Sequence, residues 1–238
     1  MREEKITFES FDLNTFDHVR PSAVLRRMQQ IARNDLDSFG VQYEQLRERG
    51  MVFVVSRMAL RFVRPIPGEV PLTLRTAPDA SHGATFPRSF VLEDEKGVVM
   101  QAMSLWALLD FNKRTLLRAS ALGGDLPVYA DLSGGLVCER LVGNQDEKEP
   151  LFIDRRRVYD SMLDQNNHLN NCNYADLALD LLPEGVGEVQ EMHITFQHEA
   201  RLGDTLLMKG YEKDGSYLVS GSFEDREENC FLAKIKLF

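Results

Sequence analysis

Met58-Ala59-Leu60-Arg61-Phe62 is answered in the second half of the chain by Met192-His193-Ile194-Thr195-Phe196. Each strand-like run is followed, a few residues on, by glycine and an acid: Gly68-Glu69 and Gly203-Asp204. Further on, Glu93-Asp94 and Glu224-Asp225 each fall inside a hairpin-like stretch. Upstream, Asp17-His18-Val19 precedes one helical pattern and Asn167-His168-Leu169 precedes another. One or two such matches could arise by chance. Four landmarks in the same order indicate duplication of a strand–helix–strands unit.

The elements around these landmarks follow from periodicity. Ile6 to Leu13 reads as a strand. Val24, Leu25, Met28, Ile31, Ala32, Leu36 and Phe39 recur at helical spacing, with Pro21 and Ser22 suited to the first turn and Gly40 to the end. Strands are expected over residues 53–63, 70–76, 86–92 and 98–109, with Phe111 to Leu117 as a strand continuation through a polar turn. Residues 143–150 are polar and charged, and 144–149 reads as a linker. After it the pattern restarts. Ile153 to Tyr159 is a strand, and Tyr174, Leu177, Ala178, Leu181 and Leu182 mark a helix face stopped by Pro183. Four strands follow, over 189–196, 205–211, 216–223 and 230–238. A long helix with several antiparallel strands is an α+β unit. Two of them in tandem, each a sheet wrapped around its helix, make a double hotdog arranged as a pseudo-dimer. Its halves are expected at 1–143 and 150–238.

Composition narrows the function. The 238 residues are 43% hydrophobic and 27% charged, with a formal net charge of −9. That balance fits a folded globular chain and disfavours a nucleic-acid binder, which is usually basic. No stretch reaches the roughly 20 apolar residues that span a bilayer. The charged start Met-Arg-Glu-Glu-Lys leads into no apolar signal core, so the expected location is cytoplasmic. Cys138, Cys172 and Cys230 are scattered and odd in number. They form no CxxC pair, so buried reduced thiols are expected rather than a zinc site or a disulfide framework.

The densest polar cluster is Asp164-Gln165-Asn166-Asn167-His168-Leu169-Asn170-Asn171-Cys172-Asn173, between a strand and a helix. Asparagine favours turns and helix N-caps, which accounts for Asn170, Asn171 and Asn173. Capping does not account for Asp164, Asn166 and His168 at alternate positions. In an extended segment these three would point the same way. Thioester hydrolysis uses such parts: a carboxylate that attacks or a base that activates water, and donors for the developing oxyanion. The start of the helix after His168 would add free backbone N–H groups and a positive dipole end.

The run Leu163 to Asn171, followed by Tyr174, resembles the signature of the plant and bacterial acyl-acyl carrier protein (acyl-ACP) thioesterases. That family carries Asp-x-Asn-x-His-x-Asn-Asn before the helix of its C-terminal hotdog, then a Glu on the next strand near Gly-Asp. Here Phe196-Gln197-His198-Glu199 leads to Gly203-Asp204, so the resemblance assigns that position to Glu199. The likeness extends through the helix Ser22 to Gly40 and the strand Arg57 to Phe62, covering nearly the whole chain. Two departures stand out. Plant members often have Cys directly after the Glu, whereas Ala200 here removes any Cys-His nucleophile at that spot. They also often have Trp near the position of Phe53.

The resemblance implies hydrolysis of fatty acyl-ACP to free fatty acid and ACP, terminating fatty acid synthesis, with no cofactor and no metal. Asp164 would be the nucleophile or a water-positioning carboxylate. Glu199 would be the general base or activate the water. Asn166 would orient the carboxylate or water, or bind the carbonyl oxygen. His168 would tune the site or exchange the proton. The repeat limits this set to one copy: His18 matches His168, but Asn14, Phe16 and Pro65 stand where Asp164, Asn166 and Glu199 stand.

An acyl pocket is implied in the N-terminal half, with Met28, Ile31, Met51, Phe53 and Val55 as candidates. Arg155, Arg156 and Arg157 form the one strong basic run, readable as a solvated strand edge or as a docking surface for the acidic carrier and its phosphopantetheine phosphate. His193 reads as strand packing, His198 as facing away from Glu199, and His82 as a solvent-facing loop residue. The alternatives are a hotdog acyl-coenzyme A thioesterase and a non-catalytic acyl-thioester-binding protein. Homodimer formation is left open.

Overall fold

The computed structural model describes residues 1–124, 126–143 and 149–238. Apart from Glu149, the linker expected at 144–149 lies outside the described residues. The chain separates into two compact units. Unit 1 comprises Met1–Arg20 and Val24–Cys138; unit 2 comprises Pro21–Ala23 and Glu139–Phe238.

Unit 1 contains β1 (Arg2–Ile6), all but the first three residues of α1 (Pro21–Ser38), α2 (Tyr43–Glu48), β2 (Met51–Phe62), β3 (Leu72–Pro78), β4 (Thr85–Asp94), β5 (Gly97–Asp110) and β6 (Thr115–Leu117). Its strands lie side by side in the order β1-β3-β4-β5-β2, with β6 on β5, and every pairing is antiparallel. Proline at the first turn of α1 loses no hydrogen bond there. Gly40, at φ +76°, lets the chain leave the helix. Leu25, Met28 and Ile31 on α1 are fully buried. Asp35 of α1 accepts a 2.7 Å hydrogen bond from Arg88 Nη1 of β4, tying helix to sheet.

Unit 2 contains β7 (Phe152–Arg157), α3 (Asn173–Leu179), β8 (Val189–Phe196), β9 (Thr205–Lys213), β10 (Ser216–Phe223) and β11 (Asn229–Leu237). Its order is β7-β9-β10-β11-β8, again antiparallel throughout. Strand for strand this is the order of unit 1, so the duplication read from four landmarks extends to the whole topology. Tyr174 of α3 packs edge-on against Phe196 of β8 and Phe231 of β11, with ring centroids 5.4 and 4.9 Å apart. Each unit is a helix on an antiparallel sheet, the double hotdog expected.

Three local expectations fail. Residues 7–13 are not strand: Ser10–Asp12 is a 3-10 turn whose Asp12 carboxylate accepts the Glu9 N–H at 3.2 Å. That turn buries Phe8 and leaves Phe11 outside. The second helix stops at Leu179, short of Leu181 and Leu182. There the N–H groups of Leu181 and Leu182 turn to carbonyls three residues back, and Pro183 has none to continue with. The glycine-acid landmark is out of register by one. Glu69 N–H bonds Phe8 O as Gly203 N–H bonds Val158 O, so Glu69 matches Gly203; both sit at positive φ, +60° and +88°. The helix α2 was not foreseen.

Candidate active site

Residues 163–169 form a tight turn rather than an extended run. Leu163 and Leu169 face each other as an isolated bridge. Inside it, Asp164 N–H bonds His168 O at 2.8 Å and Asn167 N–H bonds Asp164 O at 3.0 Å. Asn167 takes φ +60°, a conformation asparagine tolerates better than most residues. The expected alternation of Asp164, Asn166 and His168 along one face is therefore wrong. They are brought together by side-chain–backbone bonding. Asp164 Oδ1 accepts the N–H groups of Asn166 and His168, and its Oδ2 lies 3.4 Å from Asn166 Nδ2.

The turn is docked on the segment that follows β8. Leu169 N–H bonds Ala200 O at 2.8 Å, and His168 bridges to Arg201. This places His168 Nε2 3.2 Å from Glu199 Oε2, joining two segments distant in sequence. His168 thus links the set: its backbone N–H meets Asp164 and its ring meets Glu199. Glu199 stands past the end of β8 and not on the strand as expected. Asp164 and His168 are half-buried, whereas Asn166 and Glu199 are exposed.

The N–H groups at the start of the helix are in part already engaged. α3 begins at Asn173, and the Asn170 side-chain and backbone oxygens already take the N–H groups of Cys172 and Asn173, at 3.0 and 2.9 Å. Asn166 Nδ2 is a side-chain donor at this turn, and the His168 ring is directed to Glu199. Sequence reasoning also missed Arg201, whose Nη2 lies 3.8 Å from the Glu199 oxygen that faces His168. A cation two residues after the Glu was the available signal.

Unit 1 repeats the turn and keeps a histidine, His18, but not the groups matching Asp164, Asn166 and Glu199. Leu13 and Val19 form the bridge, Asn14 N–H bonds His18 O at 2.7 Å, and Asp17 takes φ +60°. Val19 N–H bonds Ile66 O where Leu169 N–H bonds Ala200 O. Hence Pro65 occupies the place of Glu199, as the sequence alignment of the halves required.

Arg155, Arg156 and Arg157 lie on β7, which pairs with β9. Arg155 Nε is 2.5 Å from Glu224 Oε1, and Arg156 pairs with Asp154 at 2.7 Å and Asp180 at 3.6 Å. Met28, Ile31, Met51 and Val55 are buried. Met51 belongs to a small core with Leu46, Phe86 and Leu108, against which the half-buried Phe53 packs. His193 is buried in β8, and His198 turns Nδ1 onto Asn229 O at 2.8 Å.

Glu139, Glu191 and His193 offer ligand-type atoms close together. His193 Nδ1, however, accepts the Glu139 N–H at 3.3 Å, so the neutral ring carries its proton on Nε2, 2.8 Å from Glu191 Oε1. Both nitrogens are occupied, which leaves no lone pair for a cation. All three cysteines are buried free thiols, and burial pushes Cys138 and Cys230 up to about 12. Among the described residues no helix is long and apolar enough to cross a membrane.

Two family models match the chain: the acyl-ACP thioesterase N-terminal domain over residues 1–121 and the acyl-ACP thioesterase C-terminal domain over 146–229. No curated protein matches. Among solved structures, the 12:0-ACP thioesterase from Umbellularia californica is 15% identical, with a TM-score of 0.86. An acyl-ACP thioesterase from Bacteroides thetaiotaomicron is 16% identical, with a TM-score of 0.80. Each alignment covers 99% of this chain and 96% of the other. At these identities the structural likeness concerns the fold.

Proposed function

The chain belongs to the acyl-ACP thioesterase family, and we propose that Asp164, Asn166, His168 and Glu199 of unit 2 carry its thioester hydrolysis. The enzyme cleaves the thioester of fatty acyl-ACP, releasing a free fatty acid and the carrier thiol. The observation that supports this site best is the 3.2 Å approach of His168 Nε2 to Glu199 Oε2, beside the turn that holds Asp164 and Asn166.

Two routes use this arrangement. In one, Asp164 Oδ2 attacks the thioester carbon, the C–S bond breaks, and the departing thiolate takes a proton from solvent. Water then hydrolyses the acyl-aspartate, with Glu199 accepting its proton. In the other, Glu199 takes a proton as water attacks the thioester carbon directly, the C–S bond breaks, and the carrier sulfur leaves with the proton returned by Glu199, while Asp164 positions the water. Asn166 Nδ2 donates to the oxyanion in both, and the His168 ring holds Glu199 through Nε2, 3.2 Å from Glu199 Oε2. Single turnover in heavy-oxygen water tests the covalent route: label entering Asp164, by water attack on its carboxyl carbon in the anhydride, supports it. Glu199→Gln tests the site itself, with an expected loss of at least about 100-fold in kcat on acyl-ACP, the scale of general base catalysis; unchanged turnover would remove the site from this segment.

For substrate binding, the acyl chain is assigned to the apolar interior of unit 1, at Met28, Ile31, Met51, Phe53 and Val55. Phe53→Ala is expected to alter the chain length of fatty acids released in a producing host. Arg155, Arg156 and Arg157 are assigned to docking of the acidic carrier and its phosphopantetheine phosphate. Their ion pairs with Glu224, Asp154 and Asp180 mean that docking exchanges partners rather than meeting bare charge. Charge reversal there should raise KM for acyl-ACP and spare a short free thioester; equal effects on both would overturn the docking role. Comparing turnover of acyl-ACP with acyl-coenzyme A measures the preference between carriers. Three free thiols suit a reducing cytoplasm, the location we assign; cell fractionation tests it.

A further inference from the structure

Glu199 is exposed, yet the peptide carbonyl before it is held from within the protein. Cys230 Sγ of β11 lies 3.1 Å from His198 O and must donate to it, because a carbonyl can only accept. The Tyr174 hydroxyl of α3 lies 3.3 Å from the same sulfur. These constraints leave one arrangement of protons: Tyr174 O–H to Cys230, and Cys230 S–H to His198 O. The circuit ends on the peptide carbonyl one residue before Glu199.

The rest of the surroundings stiffen the same segment. Cys230 O accepts the N–H groups of Gln197 and His198 at 2.9 and 3.1 Å. Ala200 O holds the turn through Leu169 N–H. Phe196 and Phe231 fix the phenol ring edge-on. Tyr174 and Cys230 are 2% and 0% exposed, so neither meets substrate directly.

Unit 1 supplies the control. Val63 N–H bonds Val99 O where Gln197 N–H bonds Cys230 O, so Val99 stands in the place of Cys230. Counting from the shared turn, Val24 stands in the place of Tyr174. Both valines are buried. The unit with Pro65 fills these positions with valine; the unit with Glu199 fills them with a hydrogen-bonded tyrosine and cysteine. Packing alone is satisfied by two valines, and a buried polar pair costs stability unless its bonds are made.

Resting on the assignment of Glu199 above, we propose that Tyr174 and Cys230 are positioning residues for Glu199, acting through the His198 peptide carbonyl. Burial pushes the Cys230 thiol up to about 12 and the Tyr174 phenol upward as well. Both therefore keep the protons the circuit needs at neutral pH, and neither serves as nucleophile or base.

The test is a kinetic cycle on full-length enzyme with acyl-ACP. Tyr174→Phe, which keeps the ring, should lower kcat about tenfold with KM within about twofold, since a lost hydrogen bond of this kind is worth about 1 kcal/mol. Cys230→Val, copying unit 1, should do the same, and Cys230→Ser should restore most of the loss. In a Glu199→Gln background, Tyr174→Phe should have no further effect on kcat. A tenfold loss in that background too would mean a general packing role and overturn the proposal. So would wild-type kcat in Tyr174→Phe while Glu199→Gln is inactive. Wild-type kcat in Glu199→Gln itself would instead sink the site assignment. Should Cys230→Val fail to fold, the tyrosine cycle and Cys230→Ser decide the matter.

Discussion

Asp164 and Asn14 occupy equivalent places in two copies of one turn. Asn14 Oδ1 accepts the N–H groups of Phe16 and His18 at 2.9 and 3.1 Å; Asp164 Oδ1 accepts those of Asn166 and His168 at 2.8 and 3.3 Å. An amide oxygen thus does the structural work of the carboxylate.

Asp164→Asn should therefore leave stability within about 0.5 kcal/mol of wild type, the usual range for a change that disturbs no structural feature. It should nevertheless abolish hydrolysis. Asp164→Ala should lose the turn bonds as well, costing about 1 kcal/mol or more. Thermal melts and turnover of the two variants, side by side, check this; a strongly destabilised Asp164→Asn would contradict the equivalence.

Arg88 and Asp35, both nearly fully buried, make a 2.7 Å ion pair, and Arg88 also donates to Thr76 Oγ1 at 3.1 Å. Desolvation lowers the Arg88 pKa, opposed by the Asp35 carboxylate. Arg88→Leu should destabilise by about 3–5 kcal/mol, because the buried Asp35 carboxylate loses its hydrogen-bonded partner and keeps, among the described residues, only the N-terminal amine at 3.9 Å. The double change Arg88→Leu with Asp35→Leu should recover most of that. Urea denaturation of the three proteins measures it, and an additive double variant would refute the coupling.

Gly221 on β10 has no room for a side chain. A Cβ there would lie 2.4 Å from Phe231 Cε1 and 3.0 Å from Met208 Sδ. Gly221→Ala should cost about 1–3 kcal/mol by overpacking. Because Phe231 carries the Tyr174 ring, activity should fall with it. A scanning calorimetry trace unchanged from wild type would show that the strand gives way freely.

The thiols give a pH dependence of known sign. Cys138 and Cys230 titrate near 12 when folded, pushed up by burial, against an ordinary thiol value near 8.5. Below the ordinary value both states are protonated and the thiols add nothing pH-dependent. Between about 9 and 12 the unfolded chain loses protons that the folded one keeps, so stability falls as pH rises. Denaturant midpoints across that range should drop, and Cys138→Ala with Cys230→Ala should flatten the slope. Iodoacetamide at neutral pH should leave the folded protein unmodified.

The fold was legible because its signals are long. The α1 pattern from Val24 to Leu36 and the strand runs around Met58 and Met192 carry many apolar residues in register, and the order of landmarks exposed the repeat. What escaped was local bonding that reverses chain direction. Nothing in the spacing of Asp164, Asn166 and His168 distinguishes an extended run from a turn held by one carboxylate oxygen; Asn167 at φ +60° was the hidden hint. The helix α3 ended early because carbonyl partners, not hydrophobic spacing, decide where a helix stops. Glu199 was placed from the resemblance, but the groups behind it were read as ordinary core, since Tyr174 and Cys230 lie far apart in sequence and meet only when α3 packs on β11.

The Oδ1 bonds of Asp164 have a last consequence. A surface carboxylate normally samples several rotamers, and ordering it in each reaction cycle costs entropy. Here rotation about the Cα–Cβ bond would break two backbone hydrogen bonds, so that freedom is lost once, on folding. In the proposed site, Oδ2 is then the oxygen left to face the thioester or the attacking water, in an orientation that substrate need not impose.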